Sequence, residues 1–222
     1  MSAASAGDRC RVAILISGSG TNLQAFIDGV RSGALSFAIP LVLSNRADAF
    51  GLERAAAAGI DAAVISHAAF ATRQDFDRRI AARLDAAGAD LVVLAGFMRI
   101  LSPWFVRRYA GRVLNVHPAL LPRYPGLDTH ARALAAGDAD HGSTVHFVTE
   151  ELDGGPRVLA GRIRVGADDT PETLQARVQS VEHVIYPETA QWFADGRLEC
   201  RAGAEWLDGR RLDEPVVRDF GL

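Results

Sequence analysis

The sequence predicts an α/β protein: a mostly parallel sheet with helices on both faces, finished by antiparallel pairing at its C-terminal edge. Three observations carry that prediction. Short, nearly continuous apolar runs alternate with helical patterns through the first half, as strands covered on both faces require. Strand, helix, strand, helix in that order implies right-handed crossovers. After Pro118 the alternation stops, and two strands are joined by Asp153-Gly154-Gly155, a link too short for a crossover helix.

Arg11–Ser17 (RVAILIS) is the first strand, apolar at nearly every position. Gly18, Ser19 and Gly20 end it, and Thr21 or Asn22 is placed to cap a helix carrying Leu23, Phe26, Ile27 and Val30. Ala38–Ser44 reads as a second strand, Ala49–Ala58 as a second helix stopped by Gly59, and Ala62–Ile65 as a third strand. Arg73–Ala87 places Phe76, Ile80 and Leu84 on one helical stripe, with Gly88 as its stop. Leu91–Ala95 and Val113–Val116 are two further buried strands, separated by a helix around Ser102–Tyr109. A proline-rich loop leads to a short helix near His130–Ala136. Ser143–Val148 and Pro156–Val165 then form the antiparallel pair at one edge, and a long helix spans Pro171–Phe193. The remaining residues are expected to form a small peripheral hairpin. No repeat or low-complexity linker divides the 222 residues, so one domain over 1–222 is expected, with halves at about 11–110 and 111–212 and a peripheral tail at 213–222.

Composition narrows the function classes. Hydrophobic residues make up 49% of the chain, enough apolar surface to offset the ordering entropy of a packed domain. A net charge of −3, with all 24 basic residues Arg and scattered, gives no reason to expect general binding to nucleic acid or anionic membrane. No run of eighteen apolar residues predicts a transmembrane helix. Met1 to Asp8 is small and polar, without the apolar stretch of a signal peptide. Cys10 and Cys200 lie far apart, so a disulfide framework is not expected and a cytoplasmic location is the default.

Gly18-Ser19-Gly20-Thr21-Asn22-Leu23 sits between a strand and a helix, where backbone N–H groups can receive an anion. A dinucleotide fingerprint would need glycine where Leu23 stands and an acidic residue where Ser44-Asn45-Arg46 ends the second strand. No Gly-Lys pair follows, which excludes a Walker A loop. Two readings remain: a plain tight turn, or a phosphate-monoester cradle built on Gly20, Thr21 and Asn22. Placement after the first strand favours the cradle.

Asn115 and His117 lie two apart on an apolar strand and so share a face. Pro118 ends that strand, which puts both groups at its carboxyl end, where open α/β sheets place their ligand crevices. An amide donor beside an imidazole suits acyl transfer: one stabilises a developing oxyanion and the other handles a proton. Asp153, in the Asp-Gly-Gly turn, is the best candidate to hold charge on the imidazole. The plainer account is a hydrogen-bonded strand-end histidine and a turn aspartate; the Asn-x-His-Pro arrangement weighs against it. His130, His141 and His146 lack any metal-ligand spacing, so no metal is expected. No G-x-S-x-G elbow is present, and neither cysteine has a base near in sequence, so direct transfer is favoured over a covalent enzyme intermediate.

The ordered set ISGSGTNLQA (16–25), LAGFMRILS (94–102), LNVHPALLPRYPG (114–126), HGSTVHFV (141–148), ELDGGP (151–156) and QSVEHVIYP (179–187) resembles the phosphoribosylglycinamide formyltransferases. The resemblance runs from about Arg11 to Leu212. The Asn-x-His-Pro strand is shared with other 10-formyltetrahydrofolate enzymes, whereas its combination with the GSGTN loop is specific to this group. The resemblance implies the formyltransferase fold, a Rossmann-like sheet, and transfer of a formyl group from 10-formyltetrahydrofolate to the amino group of glycinamide ribonucleotide in purine synthesis. It implies that Asn115, His117 and Asp153 are catalytic. Gly20, Thr21 and Asn22 would hold the ribonucleotide phosphate and Glu182 its ribose hydroxyls. Arg73, Met98, Arg99, Ile100 and Leu101 would line the folate site, with the segment before Asp153. The N-terminal half would thus bind nucleotide phosphate and the C-terminal half would carry folate and catalysis, with a homodimer left open. Apart from the resemblance, a carboxylate suits a ribose diol and Arg a folate's glutamate, while Phe97-Met98 would otherwise read as core.

Two departures stand out. Asp128 occupies a position where bacterial relatives often carry histidine, and a carboxylate turned inward there would repel phosphate. Ala119 replaces a small serine, with little effect expected. Rival functions are a 10-formyltetrahydrofolate hydrolase or a methionyl-tRNA formyltransferase, each of which would carry a further domain. A non-catalytic folate- or nucleotide-binding module is opposed by the intact trio, and a dehydrogenase by Leu23.

Overall fold

The computed structural model describes residues 9–222; the stretch Met1 to Asp8, read above as free of a signal peptide, lies outside the described residues. β1 (Val12–Ile16) is buried at every position because both faces of the sheet are covered. Val12, Ile14 and Ile16 point into one core and Ala13 and Leu15 into the other, the period-two alternation of a strand. The first core is shared with α1 (Thr21–Ser32) and α6 (Pro171–Ala194), through Leu23, Phe26, Ile185 and Tyr186. The second belongs to α3 (Arg73–Ala86) and α4 (Pro103–Arg108), through Phe76, Ile80, Leu84 and Phe105.

β1 pairs in parallel with β2 (Val42–Ser44) on one side and β4 (Leu91–Leu94) on the other. β3 (Ala62–Val64) extends the first side and β5 (Val113–His117) the second, both parallel. β2 is shorter than expected: Ala38 makes only an isolated bridge to Arg11, and Pro40 between them has no N–H for a ladder. α2 (Gly51–Ala57) and α5 (Thr129–Ala135) are single short helices on connections. β6 (Asp140–Phe147) and β7 (Arg157–Arg164) continue the sheet in antiparallel fashion, as expected.

Two expectations need correction. The chain after α6 forms a three-stranded antiparallel meander, β8 (Leu198–Arg201), β9 (Ala204–Leu207) and β10 (Arg210–Arg211), instead of a simple hairpin. The tail then returns as β11 (Val216–Phe220), parallel to β7, and becomes the true edge of the eight-stranded sheet. Arg162 of β7 and Asp219 of β11 are direct neighbours and form a two-bonded ion pair across the strands. The strand order is β11-β7-β6-β5-β4-β1-β2-β3. It reverses direction between β1 and β4, which makes the carboxyl end of those strands the place for a crevice. Among the described residues, no helix is long and apolar enough to cross a membrane.

Candidate active site

The segments singled out by sequence meet at that end of the sheet. The loop 17–20 leaves β1, the loop 95–102 leaves β4, and His117 ends the adjacent β5. β5 and β6 pair so that Asn115 stands opposite His146 and His117 opposite Thr144.

Asp153 reaches the same point from the turn between β6 and β7. Its own φ of 52° is left-handed, which aspartate tolerates better than most residues. Gly155 has no alternative there, since a Cβ would sit 1.8 Å from the Phe147 carbonyl oxygen. Asp153 Oδ2 accepts from Gly126 N–H at 2.9 Å and lies 3.4 Å from His117 Nδ1. His117 Nε2 lies 2.8 Å from the Tyr124 carbonyl, which can only accept, so Nε2 carries a hydrogen. Only a positively charged ring has a second N–H to offer Asp153. Nε2 is thus hydrogen-bonded, and Nδ1 faces the Asp153 carboxylate.

His146 joins the trio and was missed by the sequence reading, which weighed it only as a metal ligand. Its Nδ1 donates to the Phe147 carbonyl at 3.0 Å, leaving Nε2 to accept from Asn115 Nδ2 at 3.2 Å. Burial lowers the basicity of this ring and keeps it neutral. It therefore orients the Asn115 amide and leaves the second amide hydrogen free. Nε2 is also 3.8 Å from Asp153 Oδ1. His130 and His141 form a separate pair at 3.1 Å, with His141 pushed down to about 4 by burial and then by His130.

On the other side of the site, Gly20 (φ 69°) occupies the cap position of α1, so Thr21 and Asn22 are its first helical residues, and neither is a side-chain cap. A Cβ on Gly20 would lie 2.7 Å from the Cα of Gly51, which starts α2. Side chains that were free to cap are used elsewhere. Thr21 Oγ1 accepts from Gln179 Nε2 at 2.9 Å, and Asn22 Nδ2 donates to Glu182 Oε2 at 2.9 Å. Glu182 is nearly buried, and that burial raises its pKa against the opposing bonds from Asn22 and Ser143. The Ser143 hydroxyl is within reach of both Glu182 Oε1 (3.1 Å) and the His117 carbonyl (2.7 Å), so one side chain connects the two parts of the site. Asn22 Oδ1 is buried without a partner. The candidate residues do not separate by chain halves, because Asn22 and Glu182 bond directly.

The 95–102 loop is split by burial. Met98 and Ile100 are 71% and 61% exposed, large apolar side chains turned to solvent, and Arg99 is exposed between them. Leu101, expected to line the same site, is buried with Phe97 in the α3–α4 core. Met98 N–H donates to Ser17 Oγ at 2.8 Å, which fixes the loop against the end of β1. Arg73 is the exposed first residue of α3. Asp128 is exposed at the start of α5 with φ 57°, outside the polar trio.

Exposed Met98 and Ile100 suit an apolar ring system, and Arg73 and Arg99 suit anionic groups attached to it. Residues 10–190 match the formyl transferase family. A phosphoribosylglycinamide formyltransferase of Escherichia coli (strain K12) is 54% identical over 201 residues, 90% of this chain and 95% of that protein. The solved phosphoribosylglycinamide formyltransferase of Coxiella burnetii superposes with a TM-score of 0.91 at 48% identity, covering 94% of this chain and 99% of that one. Glycinamide ribonucleotide transformylase 1 of Symbiobacterium toebii gives 0.87 at 46% identity, covering 90% and 95%.

Proposed function

The chain belongs to the formyl transferase family, and from that premise we infer that it moves the formyl group of 10-formyltetrahydrofolate to the amine of glycinamide ribonucleotide, in purine synthesis in the cytoplasm. The observation that carries this reading is the meeting of Asn115, His117 and Asp153 at the end of β5, joined through Ser143 to the Asn22–Glu182 pair. One set handles an acyl oxygen and a proton; the other offers a carboxylate and helix-start N–H groups to a sugar phosphate.

The folate supplies an activated formyl carbon. The amine attacks that carbon directly, giving a tetrahedral intermediate with a negative oxygen. The free amide hydrogen of Asn115 donates to the oxygen. His117 donates from Nε2 once the substrate oxygen takes the place of the Tyr124 carbonyl, a local change in the 118–127 loop. Asp153 stabilises the imidazolium from Nδ1. The attacking amine gives up a proton, and the intermediate collapses with cleavage of the bond between the formyl carbon and the folate nitrogen. That nitrogen takes a proton as tetrahydrofolate leaves. Gly20, Thr21 and Asn22 hold the phosphate and Glu182 the ribose hydroxyls. Arg73, Arg99, Met98, Ile100 and the Leu101 backbone receive the folate.

Incubation with glycinamide ribonucleotide and 10-formyl-5,8-dideazafolate tests the reading. Formyl transfer that requires the nucleotide supports it. Donor loss to water at one rate with or without nucleotide would make the protein a hydrolase.

A further inference from the structure

Asp77 is a carboxylate in the wrong place for a surface helix. It lies on the inner face of α3 among Phe76, Ile80, Ala81 and Leu84, and is 0% exposed. Burying a charged group there is costly unless it is bonded. Asp77 Oδ2 accepts from Ser102 N–H at 2.5 Å, while Oδ1 is buried without a partner. Ser102 begins α4, its Oγ accepting from Phe105 N–H at 3.4 Å.

Docking of α3 on α4 does not need this bond. Phe76, Ile80 and Leu84 already pack in one core with Phe105, Val106 and Tyr109, and the Tyr109 hydroxyl donates to the Ala81 carbonyl at 3.2 Å. Beside the buried Leu101, Asp77 supplies the hydrogen bond that fixes the backbone where the 95–102 loop rejoins the fold. The loop is held at Met98 N–H by Ser17 and at Ser102 N–H by Asp77, and the exposed Met98, Arg99 and Ile100 lie between those two ties.

We propose that Asp77 is a positioning residue for the formyl donor: by holding Ser102 N–H it sets the conformation in which Met98, Arg99 and Ile100 meet the folate. The inference rests on the reading that this loop receives the donor. Burial raises the Asp77 pKa, while Ser102 and the nearby charges of Arg73 and Arg99 oppose that rise. The carboxylate thus feels the charge of the two arginines assigned to the donor, while its one hydrogen bond is to Ser102 N–H.

Asp77→Ala removes the acceptor, and Asp77→Asn keeps one. Asp77→Ala should raise the donor KM about tenfold or more, because a small displacement of a positioning loop is costly. The nucleotide KM and kcat should stay within about twofold, and Asp77→Asn should return the donor KM to near the parent value. A lowered Tm with an unchanged donor KM, or an equal rise in both substrate constants, would overturn the proposal. So would Asp77→Asn behaving like Asp77→Ala. Should Asp77→Ala give no soluble protein, the donor side of the bond answers the same question. Ser102→Pro removes the N–H at a φ of −72° that proline adopts, and Ser102→Ala removes only the hydroxyl. The proposal then requires a raised donor KM in the first and not in the second, and fails if the two agree. Arg99→Ala, assayed alongside, separates the two layers: no change in donor KM there removes the folate assignment of the loop itself.

Discussion

Replacing Asp153 by asparagine keeps the shape of the side chain and an acceptor for Gly126 N–H, while deleting one negative charge 3.4 Å from His117 Nδ1. The two side chains are 7% and 6% exposed, so solvent screens the pair weakly. Coulomb's law at that distance gives about 2.5–5 kcal/mol for effective dielectric constants of about 40 down to 20. That interaction matters most when the imidazolium faces the developing oxyanion, so its loss falls on the chemical step and little on binding. Turnover should therefore drop by about a hundredfold or more, the rate equivalent of the lower end of that range. Steady-state kinetics with each substrate varied, together with calorimetric titration of each, measures both quantities. A folded Asp153→Asn protein that binds both substrates and turns over near the parent rate would refute the reasoning, and Asp153 would be a turn residue only.

Asn22→Ala should weaken use of the ribonucleotide about tenfold to a hundredfold and leave the folate constant nearly unchanged, since it removes a contact to a charged group and strips Glu182 Oε2 of its donor. An unchanged nucleotide constant would move the phosphate site elsewhere. Arg73→Ala should raise the folate KM modestly with turnover at saturation intact, because an exposed Arg pairing a flexible carboxylate supplies uniform binding; collapse of turnover at constant KM would contradict it. Acid stability should depend on His141, whose pKa is held at about 4 instead of 6.5, chiefly by burial. The folded protein binds fewer protons than the unfolded chain between those values. Stability is therefore intact above 6.5 and is lost as the pH falls through the window, by up to about 1.4 kcal/mol per unit. Thermal melts from pH 7 to 4 should show a flatter acid limb for His141→Gln, and identical limbs would assign the sensitivity to another group.

Local signals were legible in the sequence. β1 is apolar on both faces, α3 shows Phe76, Ile80 and Leu84 at helical spacing, and Gly59 and Gly88 do stop their helices with φ of 70° and 59°. Asn115 and His117 were legible because a strand's period of two puts them on one face. The rest depended on pairing that no local pattern encodes. His146 reaches Asn115 only through the antiparallel register of β5 and β6. Glu182 meets Asn22 across 160 positions, and its role was suggested by resemblance, not by spacing. Thr21 and Asn22 looked like caps, but Gln179 and Glu182 claim their side chains and Gly20 takes the cap position. β11 lies in the stretch expected to be a peripheral tail, and Arg218 and Asp219 interrupt its apolar pattern. Those charges are its fastenings, to Glu188 and Arg162.

That last strand closes one border of the sheet. A sheet's outermost strand offers unpaired N–H and C=O groups, a template for aggregation unless it is short or charged. One border here is β3, only three residues long, and the other is β11, with its two charges committed to ion pairs. Behind β11 lies β7, eight residues with Val158, Leu159, Ala160 and Ile163 buried. Peeling β11 away would turn that apolar ladder into a sticky border while the rest of the sheet stayed folded. Loss of the β11 ion pairs would uncover that border without requiring global unfolding, the condition under which an edge strand becomes a template for association.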